Sequence, residues 1–129
     1  MEIEKPNKPT TSKYDRQSRL WGGHGQENLL SSSILLIGGS PGGVETLKNL
    51  VLPCIGYIFI MDQHKVTKRD IGNNFFIPSE TEGQSRAEVL TEFLLEMNPW
   101  HYDPQTKDWD GVKGKGLVKD PSTITREDL

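Results

Sequence analysis

Apolar residues fall into short blocks separated by glycine, proline and polar runs. The block Ile34–Ile37 ("ILLI") is continuous and bounded by serines and glycines, which predicts a parallel strand buried on both faces. Val44, Leu47, Leu50 and Val51 recur at helical spacing and predict a helix over Val44–Leu52, stopped by Pro53. Tyr57–Met61 ("YIFIM") predicts a second buried strand, ending at Asp62. Strand, helix, strand over this length is a βαβ unit with a right-handed crossover. Lys65–Ser79, carrying "DIGNNFFIP", reads as a polar loop. Beyond it Ala87, Leu90, Leu94 and Met97, widened by Val89 and Phe93, predict an amphipathic helix over Ser85–Met97, ended by Asn98 and Pro99.

The flanks are less regular. Met1–Ser12 is polar with two prolines and predicts a disordered arm. Tyr14–Trp21 predicts a short helix in which Tyr14, Leu20 and Trp21 are apolar anchors and Arg16 and Arg19 project away from them. Gly22, Gly23 and Gly25 break it, and Gln26–Leu30 predicts a second short helix. From Trp100 to Leu129 there is no strand-like run and no helical stripe, so the tail is expected to be irregular. The fold class predicted is α/β: an incomplete Rossmann-like βαβ unit with amino-terminal helices and a truncated parallel sheet.

Composition narrows the partners. A formal net charge of -3 gives no general attraction to nucleic acid or anionic membranes, and neither is expected as a partner. The aromatic residues Trp100, Tyr102 and Trp109 stand among acidic neighbours, which argues against base stacking. Cys54, the single cysteine, cannot form an internal disulfide and suits a reducing compartment; buried packing is its expected role. The polar amino terminus lacks a secretory signal and no apolar run is long enough for a membrane span, so a cytoplasmic or nuclear location is expected. His24, His64 and His101 lack ligand spacing, and no metal site is proposed.

The stretch "IGGSPGGV" is the candidate chemistry. In a G-x-G-x-x-G turn the first glycine allows the turn, the second admits a pyrophosphate and the third packs helix on strand. Gly38 and Gly43 hold the first and third places, Ser40 holds the second, and Pro41 lacks an N–H that an anion could use. Asp62 closes the second strand, where an acid meets a ribose hydroxyl; a plain polar strand end is the equal alternative.

Taken together, "YDRQSRLWG", "KNLVLPCIG", "GNNFF" and "RAE" make Lys13–Pro99 resemble the activating enzymes of ubiquitin-like proteins, which carry a ThiF-type adenylation fold. Among them the stretch is most similar to the regulatory subunits of the neddylation type; the sumoylation counterpart is the rival reading. The resemblance implies that residues 13–99 are a partial pseudo-adenylation domain and that 100–129 diverge; two strands and two or three helices bury little surface, so such a domain alone is expected to be marginal. It also implies a heterodimer with a catalytic subunit that binds ATP and magnesium and adenylates a ubiquitin-like modifier. In active domains of the family a second acid, an arginine and a lysine complete the site. His64, Asn73 and Arg86 stand at those positions here, so no cofactor is expected on this chain and Gly38, Gly43 and Asp62 would be a vestigial nucleotide site. The resemblance gives Arg16 a role across the interface, as an arginine finger towards the partner's ATP; without it Arg16 reads as a solvated helix arginine. Two other readings are a stand-alone dinucleotide binder, disfavoured by Ser40 and Pro41, and a truncated interaction fragment without activity.

Overall fold

The computed structural model describes residues 13–128, so the arm predicted over Met1–Ser12 lies outside the described residues. The chain opens with helix α1 (Asp15–Leu30), whose backbone leaves helical geometry at Gly22, where φ is +75°. The glycine cluster therefore breaks the segment once, separating the two predicted short helices. Strand β1 (Ser33–Ile37), helix α2 (Pro41–Val51) and strand β2 (Tyr57–Met61) follow, and β1 pairs with β2 in parallel, Ile34 opposite Ile58 and Leu36 opposite Ile60.

The stretch read as a polar loop contains a helix, α3 (Lys68–Asn73). Its start is fixed by a capping box: the Thr67 side chain accepts from the Asp70 N–H, and the Asp70 carboxylate accepts from the Thr67 N–H. Six residues are too few to show an apolar period, so the capping pair was the only available signal. Helix α4 (Arg86–Met97) is capped by Ser85 and buries Ala87, Val89, Leu90 and Leu94, the face its spacing predicts.

The tail is not irregular. A hairpin, β3 (His101–Asp103) with β4 (Asp108–Asp110), leads into β5 (Lys113–Leu117), which adds to β2 as a third parallel strand. The sequence of β5 is "KGKGL", which carries no apolar run. Its glycines face α4, whose backbone lies so close that a Cβ on Gly116 would stand 2.8 Å from the Ala87 carbonyl oxygen. Its lysines take the other face. Close packing against a helix backbone thus selected glycine where a sequence reading looks for valine or isoleucine.

The core lies on one face of the sheet only. Ile58 and Ile60 are fully buried with Val44, Leu47 and Val51 of α2 and Leu90 and Leu94 of α4. The expectation that β1 is buried on both faces fails. Ser33 is exposed, Ile34, Leu35 and Leu36 are partly covered, and Ile37 is 57% exposed. Among the described residues β1 has no second neighbour strand, and on the open face the end of the tail, Glu127 and Asp128, stands beside Leu35, Tyr57 and Phe59. No helix of the described residues is long and apolar enough to cross a membrane.

Candidate functional site

The turn after β1 brings three parts of the chain together at the carboxyl end of the sheet. Gly38 takes a φ of +84°, a conformation that favours glycine, and its N–H donates to the Met61 carbonyl. Ser40 then caps α2: its hydroxyl accepts from the Gly43 N–H, with Pro41 in the first turn of the helix. Serine at the cap and proline at the first helical position are among the best helix starters, so these two residues serve α2. Gly43 packs on β1; a Cβ there would sit 2.7 Å from Leu36 Cδ1. Gly39 is the position of closest approach, and the room its missing side chain leaves is filled by Leu90, whose Cδ1 would stand 2.5 Å from a Cβ, and by Asp62.

Asp62 follows the last residue of β2 and is 2% exposed. Both carboxylate oxygens are engaged. Oδ1 accepts from the His64 backbone N–H at 2.9 Å and pairs with His64 Nδ1 at 2.8 Å. Oδ2 accepts from the Gly39 N–H at 2.8 Å and from Arg86 Nε at 2.6 Å. An ionised carboxylate offers about four acceptor positions, so Asp62 has none left for a further donor. Burial on its own would raise the carboxyl's pKa; Arg86, followed by the Gly39 and His64 N–H groups, outweighs it and lowers the value to about 2.

Arg86 is held on both sides. Its Nη1 donates to Asp70 Oδ1 at 3.1 Å, and its Nη2 lies 3.3 Å from His64 Nδ1. Burial works against the guanidinium charge, but Asp62 and then Asp70 raise its pKa. Asp70 is lowered in return, its burial outweighed by Thr67 and Arg86. One side chain at the start of α4 therefore ties the end of β2 to α3. His64 is exposed towards solvent. Asn73 is exposed at the end of α3, and the next residue, Asn74, is buried with its Oδ1 accepting from the Phe76 N–H.

Arg16 stands apart from this cluster. Helix α1 is anchored by Gln17, which donates to the Pro53 carbonyl and to Gln26, and by Tyr14. Pro53 lies just past the carboxyl end of α2, whereas Gly38 to Ser40 lie at its amino end, about 16 Å away for an eleven-residue helix. Arg16 is exposed and makes no hydrogen bond or ion pair among the described residues, while Arg19 pairs with Asp15 at 3.1 Å. Gly38, Gly43 and Asp62 are thus one constellation and Arg16 belongs to another surface.

Sequence reasoning missed a buried polar junction under α1. The Tyr14 hydroxyl donates to Asp110 Oδ1 at 2.9 Å, Asn98 Nδ2 donates to Val51 O at 2.9 Å and to the Tyr14 hydroxyl at 3.0 Å, and Lys13 Nζ donates to Asn98 Oδ1 at 2.8 Å. Cys54, fully buried with φ +74°, donates its thiol to the Gly111 carbonyl; burial pushes that thiol's pKa up, the opposite of an activated nucleophile. These partners lie up to 96 residues apart, and no local pattern joins them.

The sequence matches the model of the ThiF family over residues 14–124, further than the resemblance ending at Pro99, because it takes in β5. The NEDD8-activating enzyme E1 regulatory subunit of Danio rerio is 52% identical over 93 residues, 72% of this chain and 17% of that protein. The protein of the same name from Gallus gallus is 43% identical over 116 residues, 90% of this chain and 20% of that one. The chain therefore spans about a fifth of the length of these relatives. Among solved structures, E. coli MccB with ATP superposes with a TM-score of 0.62 at 17% identity, over 88% of this chain and 33% of that one, a likeness of fold.

Proposed function

The chain belongs to the ThiF family, and from that premise we propose that it is the non-adenylating, regulatory side of a heterodimeric neddylation-type activating enzyme. In this reading a catalytic partner chain holds ATP and magnesium and adenylates the ubiquitin-like modifier, in the cytoplasm or nucleus. The carrying observation is the state of Asp62: four donors, Arg86 among them, already occupy the carboxylate that would receive a ribose diol. Leu90 and Asp62 fill the space beside Gly39, and Pro41 contributes no N–H, so the residues present do not fit a nucleotide. Residues 38–43, Asp62 and Arg86 instead serve the architecture of the domain.

Arg16 supplies the chemistry this side can offer. A free guanidinium on a rigidly anchored helix can stabilise the negative charge that develops when the modifier's carboxylate attacks the α-phosphate and pyrophosphate leaves. Gln17 and Tyr14 hold the helix without using Arg16, which leaves its charge available to a partner. The test is ATP–pyrophosphate exchange by the catalytic subunit of a NEDD8-activating enzyme reconstituted with this chain. Arg16→Ala is expected to lower exchange by at least tenfold, the scale of a lost transition-state charge contact of ~1.4 kcal/mol or more. An unchanged rate refutes the arginine finger, and a chain that binds the subunit without supporting exchange points to an inactive interaction fragment.

A further inference from the structure

We propose, resting on the arginine-finger reading above, that Gln26 is a positioning residue: through Gln17 and Trp21 it fixes the roll of the first half of α1, and with it the direction of Arg16. Tyr14, Gln17 and Trp21 stand at i, i+3 and i+7, one stripe of the helix that Gly22 interrupts. At ~100° per residue, Arg16 lies roughly 130° round the axis from that stripe. It shares the exposed side with Arg19 and Leu20. The stripe alone therefore decides where Arg16 points.

The docking stripe of a helix is ordinarily apolar. Here each member ends in a hydrogen-bonding group, and two of them converge on one atom beyond the Gly22 break. Gln26 Oε1 accepts from Gln17 Nε2 at 2.8 Å and from Trp21 Nε1 at 3.2 Å. Gln26 Nε2 donates to the Pro53 carbonyl at 3.1 Å, and Gln17 Nε2 donates to the same carbonyl at 2.6 Å. These partners leave each amide one orientation, because an indole N–H only donates and a carbonyl only accepts. Gln26 is 8% exposed, and an aliphatic side chain would bury there without needing partners. What the amide adds is direction. Apolar packing is non-directional, whereas a hydrogen bond weakens steeply as its angle closes. Gly25 completes the device: a Cβ there would stand 2.7 Å from Trp21 Cδ1, so glycine lets the indole fold back and reach Gln26. A roll of about 20° would carry a group ~5–6 Å from the helix axis through about 2 Å, and a misplacement of ~1 Å can cost about 100-fold in rate.

The experiment is a double-mutant cycle of Arg16→Ala and Gln26→Met, read by ATP–pyrophosphate exchange with the catalytic subunit. Gln26→Met alone is expected to lower kcat by about tenfold or more, with the KM for ATP and the affinity for the catalytic subunit unchanged. In the Arg16→Ala background it should lower nothing further, since a misdirected guanidinium matters only where there is one. Gly25→Ala displaces Trp21 without removing a polar group and should give a smaller loss of the same kind. A Gln26→Met rate within about twofold of wild type overturns the proposal. So does an equal loss in both Arg16 backgrounds, which would make Gln26 a structural residue alone. If Arg16→Ala itself leaves exchange unchanged, the arginine-finger reading has failed and the catalytic consequence fails with it. The hold on the helix is tested apart from that reading, by amide order parameters of the full chain over Asp15–Trp21. They should be ~0.85 in the wild type and lower in Gln26→Met; equal values overturn the hold whatever the exchange assay shows.

Discussion

Replacing Arg86 by methionine removes the cation from Asp62 and Asp70 while keeping most of the side-chain volume. The magnitude follows from the carboxyl of Asp62, held at about 2 against an ordinary value of 3.8. At ~1.4 kcal/mol for each pH unit, that difference stabilises the native state by about 2 kcal/mol near neutrality. The Asp62 side chain is 1% exposed, so solvent screening does not reduce the figure appreciably. Because the folded value is depressed, the contribution is fully present above about pH 4 and is lost as pH falls towards about 2. Arg86→Met leaves three donors on Asp62 and should destabilise the chain by about 2–3 kcal/mol, below the ~3–5 kcal/mol seen when a buried charge loses its only partner. The assay is denaturant unfolding followed by the fluorescence of Trp21, Trp100 and Trp109 from pH 7 down to pH 2. The wild-type curve should lose stability between about pH 4 and 2, and the variant's should be flatter there, so the gap narrows. A variant within about 0.5 kcal/mol of wild type at pH 7, or a gap that persists unchanged at pH 2, would refute the ion-pair account.

Other consequences can be measured on the same chain. Gly116→Ala drives a Cβ to 2.8 Å from the Ala87 carbonyl and should cost about 1–3 kcal/mol as α4 and β5 are forced apart, read as a fall in melting temperature; an unshifted transition would mean the close approach is not maintained in solution. Asn98→Leu removes one hydrogen bond each from the Tyr14 hydroxyl and the Val51 carbonyl, which keep Asp110 and the Cys54 N–H as partners, and should cost about 1–2 kcal/mol, with faster amide exchange in α1 as the specific sign. Saturating ATP with magnesium should leave the melting temperature unchanged, whereas a ligand present at about 100 times its dissociation constant would stabilise by ~2.7 kcal/mol; a clear upward shift would reopen Asp62 as a ribose site.

Elements with a local signal are legible in the order of residues alone. Ile34–Ile37, Val44–Leu52, Tyr57–Met61 and Ser85–Met97 declare their strands and helices because a buried face repeats at the period of the backbone, and the structure places β1, α2, β2 and α4 there. The motifs along Lys13–Pro99 likewise sufficed for the family. Features that depend on neighbours remote in the chain emerge only in the folded arrangement. Lys113–Leu117 is a strand because β2 offers its edge and α4 leaves room only for glycine, and neither constraint marks the segment itself. Asp62 is fully occupied because Arg86, 24 residues on, reaches it from another helix. Tyr14, Asn98 and Asp110 form one junction for the same reason. β1 reads as a doubly buried strand, but among the described residues it stands at the edge of the sheet with Ile37 exposed, since hydrophobicity records that a surface is to be covered and not what covers it.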